Sequence, residues 1–164
     1  MHLTEEELEQ YKRHPRVIEV RFCTFFHLLE KEYGFQGALK FVQSICDAYR
    51  CNFNLLSIII NKRFDIIRNS KTKYRMWRQE IIFASYVFGE TTYRVAKDFL
   101  NMRPNTLYAQ SDIYSLDKFC TNEWLEKLDK QVTLCGNELY KLEVIRFLEV
   151  IDEMSIIIKK WKGI

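Results

Sequence analysis

The side chains in this sequence best suited to chemistry are a run of cations followed by a group of hydrogen-bonding residues. Arg63, Arg68, Lys71, Lys73, Arg75 and Arg78 come first, then Arg103, Asn105, Thr106, Tyr108 and Gln110. Concentrated Lys and Arg neutralise phosphates and release the counterions condensed on them, which favours binding to a nucleic-acid backbone. Amide and hydroxyl side chains exchange hydrogen bonds with base edges in the major groove. In this order the two sets are the means to hold and read duplex DNA, with Arg63, Arg68, Lys71, Lys73, Arg75, Arg78 and Arg103 on phosphates and Asn105, Thr106, Tyr108 and Gln110 facing bases. Other chemistry is poorly provided for. Three histidines are present; His2 and His14 read as solvated side chains in an acidic or polar N-terminal element. Cys23 and His27 are four apart, as two metal ligands on one helix face are, but a zinc site needs two more and none follows at matching spacing. No Ser or Cys has an evident His partner. We therefore expect no catalytic residues, no metal, no cofactor and no small-molecule substrate.

For Asn105 and Thr106 to reach a groove, the chain around them must form a helix-turn-helix, and residues 91–108 have the order for one. Thr91 can cap the first helix, Val95 and Phe99 fall on one face of it, and Ala96 permits a close crossing. Leu100 to Arg103 form the turn, Pro104 suits the first position of the second helix, and Leu107 packs inward. The charge distribution agrees. The whole chain carries a net +3, yet residues 62–109 hold 10 Lys and Arg against 4 Asp and Glu, while the segments on either side are near neutral.

The rest of the chain is read as helices. With 164 residues, 5 Gly and 2 Pro, there is little of the punctuation that turn-rich β folds need, and 48% hydrophobic residues are ample for one core. Thr4 and Glu7 form a capping box that opens a short helix ending before Pro15. Helices are predicted over about 16–33, ending at Gly34, and over 35–50; a short one covers 55–60, and the polar stretch 62–70 is predicted as a loop or loose helix. Others follow over about 72–88, 91–100 and 104–119, after the cap at Thr121, and from 137 to 162 beyond Gly136-Asn137. The expectation is an all-α, compact multi-helix bundle of about eight or nine helices in a single domain, 1–164, with an N-terminal helical extension, 1–36.

Residues from about Phe41 to Leu134 resemble the C-terminal DNA-binding domain of the bacterial replication initiator DnaA, in the order helix, short helix, basic stretch, long helix, helix-turn-helix and trailing helix. Arg78-Gln79 followed by the apolar Ile81, Ile82 and Phe83 is similar to the family's Arg-Gln motif, and Val95 and Phe99 match apolar positions of its first helix-turn-helix element. Arg103 to Leu107 occupy the place of its signature turn, with Thr106 identical. The resemblance implies that 37–135 is a helix-turn-helix region. It also implies that Arg63, Arg68, Lys71, Lys73 and Arg75 touch phosphates and the minor groove. No phosphate-cradling Gly-rich loop is present, so a detached module of phage or mobile-element type is expected in place of an initiator ATPase.

Tyr140, Val144, Phe147, Ile151, Met154, Ile158 and Trp161 recur at spacings of 4, 3, 4, 3, 4 and 3, the alternation of a heptad seam. The seam serves either packing within the chain or a homodimer. Leu139, Leu142, Ile145 and Leu148 add apolar surface beside it, which favours packing within the chain. The partner expected first is double-stranded DNA; the alternative is a protein-interaction bundle, a structural or inhibitory phage protein. Five cysteines at irregular positions and no run of about 18 apolar residues point to a reduced, cytoplasmic protein with no membrane partner, and the resemblance implies that the cell is a bacterium or a phage-infected host.

Overall fold

The computed structural model describes residues 4–68, 126, 129–130 and 133–161. They form α1 (Glu5–Arg13), α2 (Pro15–Tyr49), α3 (Phe53–Arg68), a 3-10 turn (Leu134–Gly136) and α4 (Glu138–Trp161), with no strand among them. The all-α class holds. Five helical elements lie among the described residues, where eight or nine are expected of the whole chain, and the expected helices between 72 and about 132 fall almost wholly outside the described residues.

α1 begins as its sequence requires. Thr4 Oγ1 accepts from the Glu7 N–H and the Thr4 N–H donates to Glu7 Oε1, both at 3.2 Å. Glu5, Glu6 and Glu7 sit in the first turn and Lys12 and Arg13 in the last, matching the helix dipole at both ends. At His14 the backbone turns extended, and Pro15 starts α2.

α2 is the helix that the others surround. Eleven consecutive residues, 16–26, are buried, so it has no solvent face over three turns. Gly34 interrupts it at φ 75°, ψ 170°, a region essentially confined to glycine. There the helix doubles back. Phe25 and Phe41 would lie about 24 Å apart along a straight helix, yet their rings are 6.4 Å apart, and Phe26 meets Phe35 at 5.5 Å. Gly37 serves the same corner by its size, since a Cβ there would lie 2.9 Å from Tyr33 Cβ.

α3 and α4 pack on α2. Among the described residues Phe22, Phe25, Phe26, Leu29, Leu56, Ile59, Ile60 and Phe147 are the largest fully buried side chains, and Phe147 of α4 stands edge-on to Phe22 at 5.4 Å and to Phe25 at 6.0 Å. α4 also clasps the α2–α3 turn: Glu143 Oε2 accepts from the Asn52 N–H, and Arg146 donates to the Arg50 carbonyl at the end of α2. Among the described residues no helix is long and apolar enough to cross a membrane.

The stretch from 62, predicted as a loop or loose helix, is helical as far as Arg68, a continuation of α3. Phe64, Ile66 and Ile67 supply apolar residues at helical spacing that the charges around them obscure. The seam of α4 is turned inward. Val144, Phe147 and Ile151 are buried in the chain's own core, with Tyr140 and Met154 partly buried against it. Those residues are thus not a dimer interface. The side chains of Ile158 and Trp161 lie outside the described residues.

Candidate functional site

Of the residues expected to hold phosphates, Arg63 is the one whose side chain is described, and it is inside: its exposure is 8%. Leu56, Ile59, Ile60 and Arg63 recur at spacings of 3, 1 and 3, one face of α3, and the three apolar members are fully buried. The guanidinium is therefore carried into the core and is not available to a phosphate. Arg68 is the last residue of α3, with its side chain outside the described residues. Lys71, Lys73, Arg75, Arg78, Arg103, Asn105, Thr106, Tyr108 and Gln110 also lie outside them.

Around Arg63 the structure assembles a cluster absent from our sequence reading. Arg16 and Glu19 lie one turn apart on α2, both nearly buried, with Arg16 Nη1 3.8 Å from Glu19 Oε1. Burial pushes the Glu19 carboxyl up, against the opposing pull of Arg16, Arg63 and the backbone N–H groups of Cys135 and Leu134. Burial pushes Arg63 down to about 10, reinforced by the like charge of Arg16, and lowers Arg16 too. Glu19 thus sits among three elements: its own helix α2, α3 through Arg63, and the 3-10 turn through Leu134 and Cys135. In sequence, residues 69–132 are flanked by the end of α3 and by the segment that leads into the 3-10 turn. The cluster ties both to one carboxylate. The available signal was Arg16 and Glu19 at i, i+3 among Val17, Ile18 and Val20, charges embedded in an apolar run.

Cys23, Cys46, Cys51 and Cys135 are free thiols, and burial raises all four, Cys46 and Cys135 to about 12, so each is protonated at neutral pH. Among the described residues no three His, Cys, Asp or Glu side chains gather as a metal site would need.

His14, read from the sequence as solvated, is a structural joint. Its Nδ1 accepts from the Arg16 N–H at 3.1 Å, capping α2, and its Nε2 lies 3.0 Å from Asp129 Oδ1. The neutral tautomer with its proton on Nε2 satisfies both contacts. Burial lowers its pKa, Asp129 opposes that shift, and Arg16 and Lys141 add to it.

Beside this joint a groove of about 490 Å³ runs between the α1–α2 junction and α4. Ile18, Ile145 and Leu148 line it with apolar groups, Lys12, Arg13, Arg21 and Lys141 with cations, and Glu138 and Glu149 with carboxylates. Leu142, on its α4 side, is 56% exposed.

No family model matches the chain, and neither a curated protein nor a solved structure matches it.

Proposed function

We propose that the protein is a non-enzymatic DNA-binding module, a phage regulator or replication-associated protein, in which the described helices are a scaffold for residues 69–132. One observation carries this reading: Lys and Arg are concentrated into residues 62–109, directly before and through the helix-turn-helix pattern of 91–108. The scaffold supports it physically. A segment that contacts DNA needs fixed ends, and the Glu19 cluster gathers the elements at both ends of 69–132. Arg63 belongs to that cluster, so the phosphate contacts fall to Arg68, Lys71, Lys73, Arg75, Arg78 and Arg103, and base reading to Asn105, Thr106, Tyr108 and Gln110.

The test is fluorescence anisotropy with labelled duplexes of several sequences across a salt series. Binding is expected to weaken steeply with salt, and replacing Lys71, Lys73 and Arg75 by Ala is expected to reduce the log–log salt slope by about 3 with little change in sequence preference. Asn105→Ala is expected to relax preference at one base position by about 1–3 kcal/mol. Absence of duplex binding at low salt refutes the proposal. A second reading, a protein-interaction bundle, is favoured by the open groove with its exposed Leu142 and by the withdrawal of Arg63 from the basic stretch.

A further inference from the structure

We propose that Cys46 and Cys51 are a redox-active pair, which exchange with a small-molecule disulfide of the glutathione class closes into a disulfide across the C-terminus of α2. The turn that ends α2 brings them together. Arg50 takes the left-handed conformation at φ 58° and ψ 41°, and the N–H groups of Arg50 and Cys51 both donate to the Cys46 carbonyl, the second at 3.0 Å. In a helix ending of this kind, the residue whose carbonyl accepts and the residue after the left-handed one turn their side chains onto each other. Those two residues are Cys46 and Cys51. The hydrogen bond also limits their separation. Ordinary bond lengths on either side of it hold the two Cα atoms within about 7 Å, and bond angles shorten the path into the range of about 4.4–6.8 Å that a disulfide spans. Both side chains enter the same core, Cys46 fully and Cys51 in part. After burial, the charge acting most on Cys46 is that of Cys51, ahead of Asp47 on its own helix and Glu143 of α4, as neighbouring sulfurs require.

Exposure and charge order the steps. Cys23, Cys46 and Cys135 are at most 2% exposed and Cys51 is half-buried, so among the described thiols Cys51 is the one an oxidant meets. Burial raises it; Arg146 of α4, which donates to the adjoining Arg50 carbonyl, opposes that shift, and Glu143 adds to it. The Cys51 thiolate attacks one sulfur of the small disulfide, which forms a mixed disulfide and expels one thiolate. Cys46 then gives up its proton and attacks Cys51 Sγ, expelling the second. The two protons released by the cysteines end on the two expelled thiolates. Two cysteine thiols are oxidised to one disulfide, and the small disulfide is reduced to two thiols. Because both cysteines rest protonated, the exchange is slow at neutral pH and quickens by up to about tenfold per pH unit between pH 7 and 9. The pair therefore answers a sustained oxidising shift and ignores a brief one. The inference is independent of DNA binding.

Peptide mapping of the native full chain tests it. The chain is incubated with millimolar oxidised glutathione, quenched at acid pH with N-ethylmaleimide in guanidinium, digested with trypsin without reduction and read by mass spectrometry. Trypsin cuts after Lys40, Arg50 and Lys62, so the two thiols fall on separate peptides, 41–50 and 51–62. The expected product is these two peptides joined, two hydrogens lighter than their sum, formed faster as pH rises and with the far-UV circular dichroism spectrum of the protein unchanged. Cys46→Ser is expected to stop at a glutathione adduct on 51–62, and Cys51→Ser to leave 41–50 with a free thiol. If a serine unsettles the core, the map of the unaltered chain decides alone. Peptides that stay unlinked overturn the proposal. So does a persistent glutathione adduct on Cys51 of the unaltered chain, a link from either cysteine to a different one, a rate indifferent to pH, or a loss of helical signal on closure.

Discussion

Replacing Phe147 by Ala tests whether the heptad-like stripe of α4 is core. The ring is fully buried and meets Phe22 at 5.4 Å with planes at 84°, and Phe25 at 6.0 Å and 63°. Truncating a buried Phe to Ala costs about 3–5 kcal/mol. The upper half of that range is expected here, because two edge-to-face pairs are lost, each worth about 0.5–1.5 kcal/mol beyond burial. A loss of about 4 kcal/mol lowers the melting temperature of a chain this size by about 8–16 °C. Urea denaturation followed by far-UV circular dichroism measures the loss directly. A cycle with Phe22→Ala isolates the ring pair, for which a coupling of about 1 kcal/mol is expected. If the stripe instead joined two copies, Phe147→Ala would leave the monomer's stability nearly intact. A loss under about 1 kcal/mol, or no coupling with Phe22, refutes the packing described.

Gly34→Ala is expected to cost about 1–3 kcal/mol, because the obstacle is the backbone at φ 75° and ψ 170°; no atom lies within 4 Å of the added Cβ. A neutral effect in a thermal melt would mean that the two arms of α2 are not joined by this corner. His14 has a folded pKa below its unfolded value of about 6.5, so the unfolded chain binds more protons between the two. The stability it contributes is present above the unfolded value and lost as pH falls through the folded one. His14→Asn keeps a capping side chain and is expected to flatten the decline in urea midpoint between pH 7.5 and 5; an unchanged decline assigns it to other groups.

What the sequence made legible was local. Thr4 and Glu7 announce a capping box through hydrogen bonds spanning three residues, and both are formed. Gly34 and the Gly136-Asn137 pair mark breaks that glycine and asparagine permit by themselves, and α4 starts and stops within a residue of its expected bounds. Long-range burial was not legible. Arg16 and Glu19 read as ordinary helix charges until α3 and the 3-10 turn close over them. Arg63 has the spacing of Leu56 and Ile59 but the chemistry of a surface residue, so its charge outweighed its position. His14 became a cap because Pro15 forces the backbone before it to extend, which leaves its ring nitrogen to meet the next free N–H.

Placing the surrounded helix near the start of the chain and its largest cover near the end has a consequence for biosynthesis. Phe22, Phe25 and Phe26 leave the ribosome some 120 residues before Phe147. At about 5–20 residues per second they wait roughly ten seconds without the helix that shields them. For that interval the nascent chain displays three phenylalanines on an unfinished hairpin, the kind of surface that chaperones hold and that aggregates when they do not.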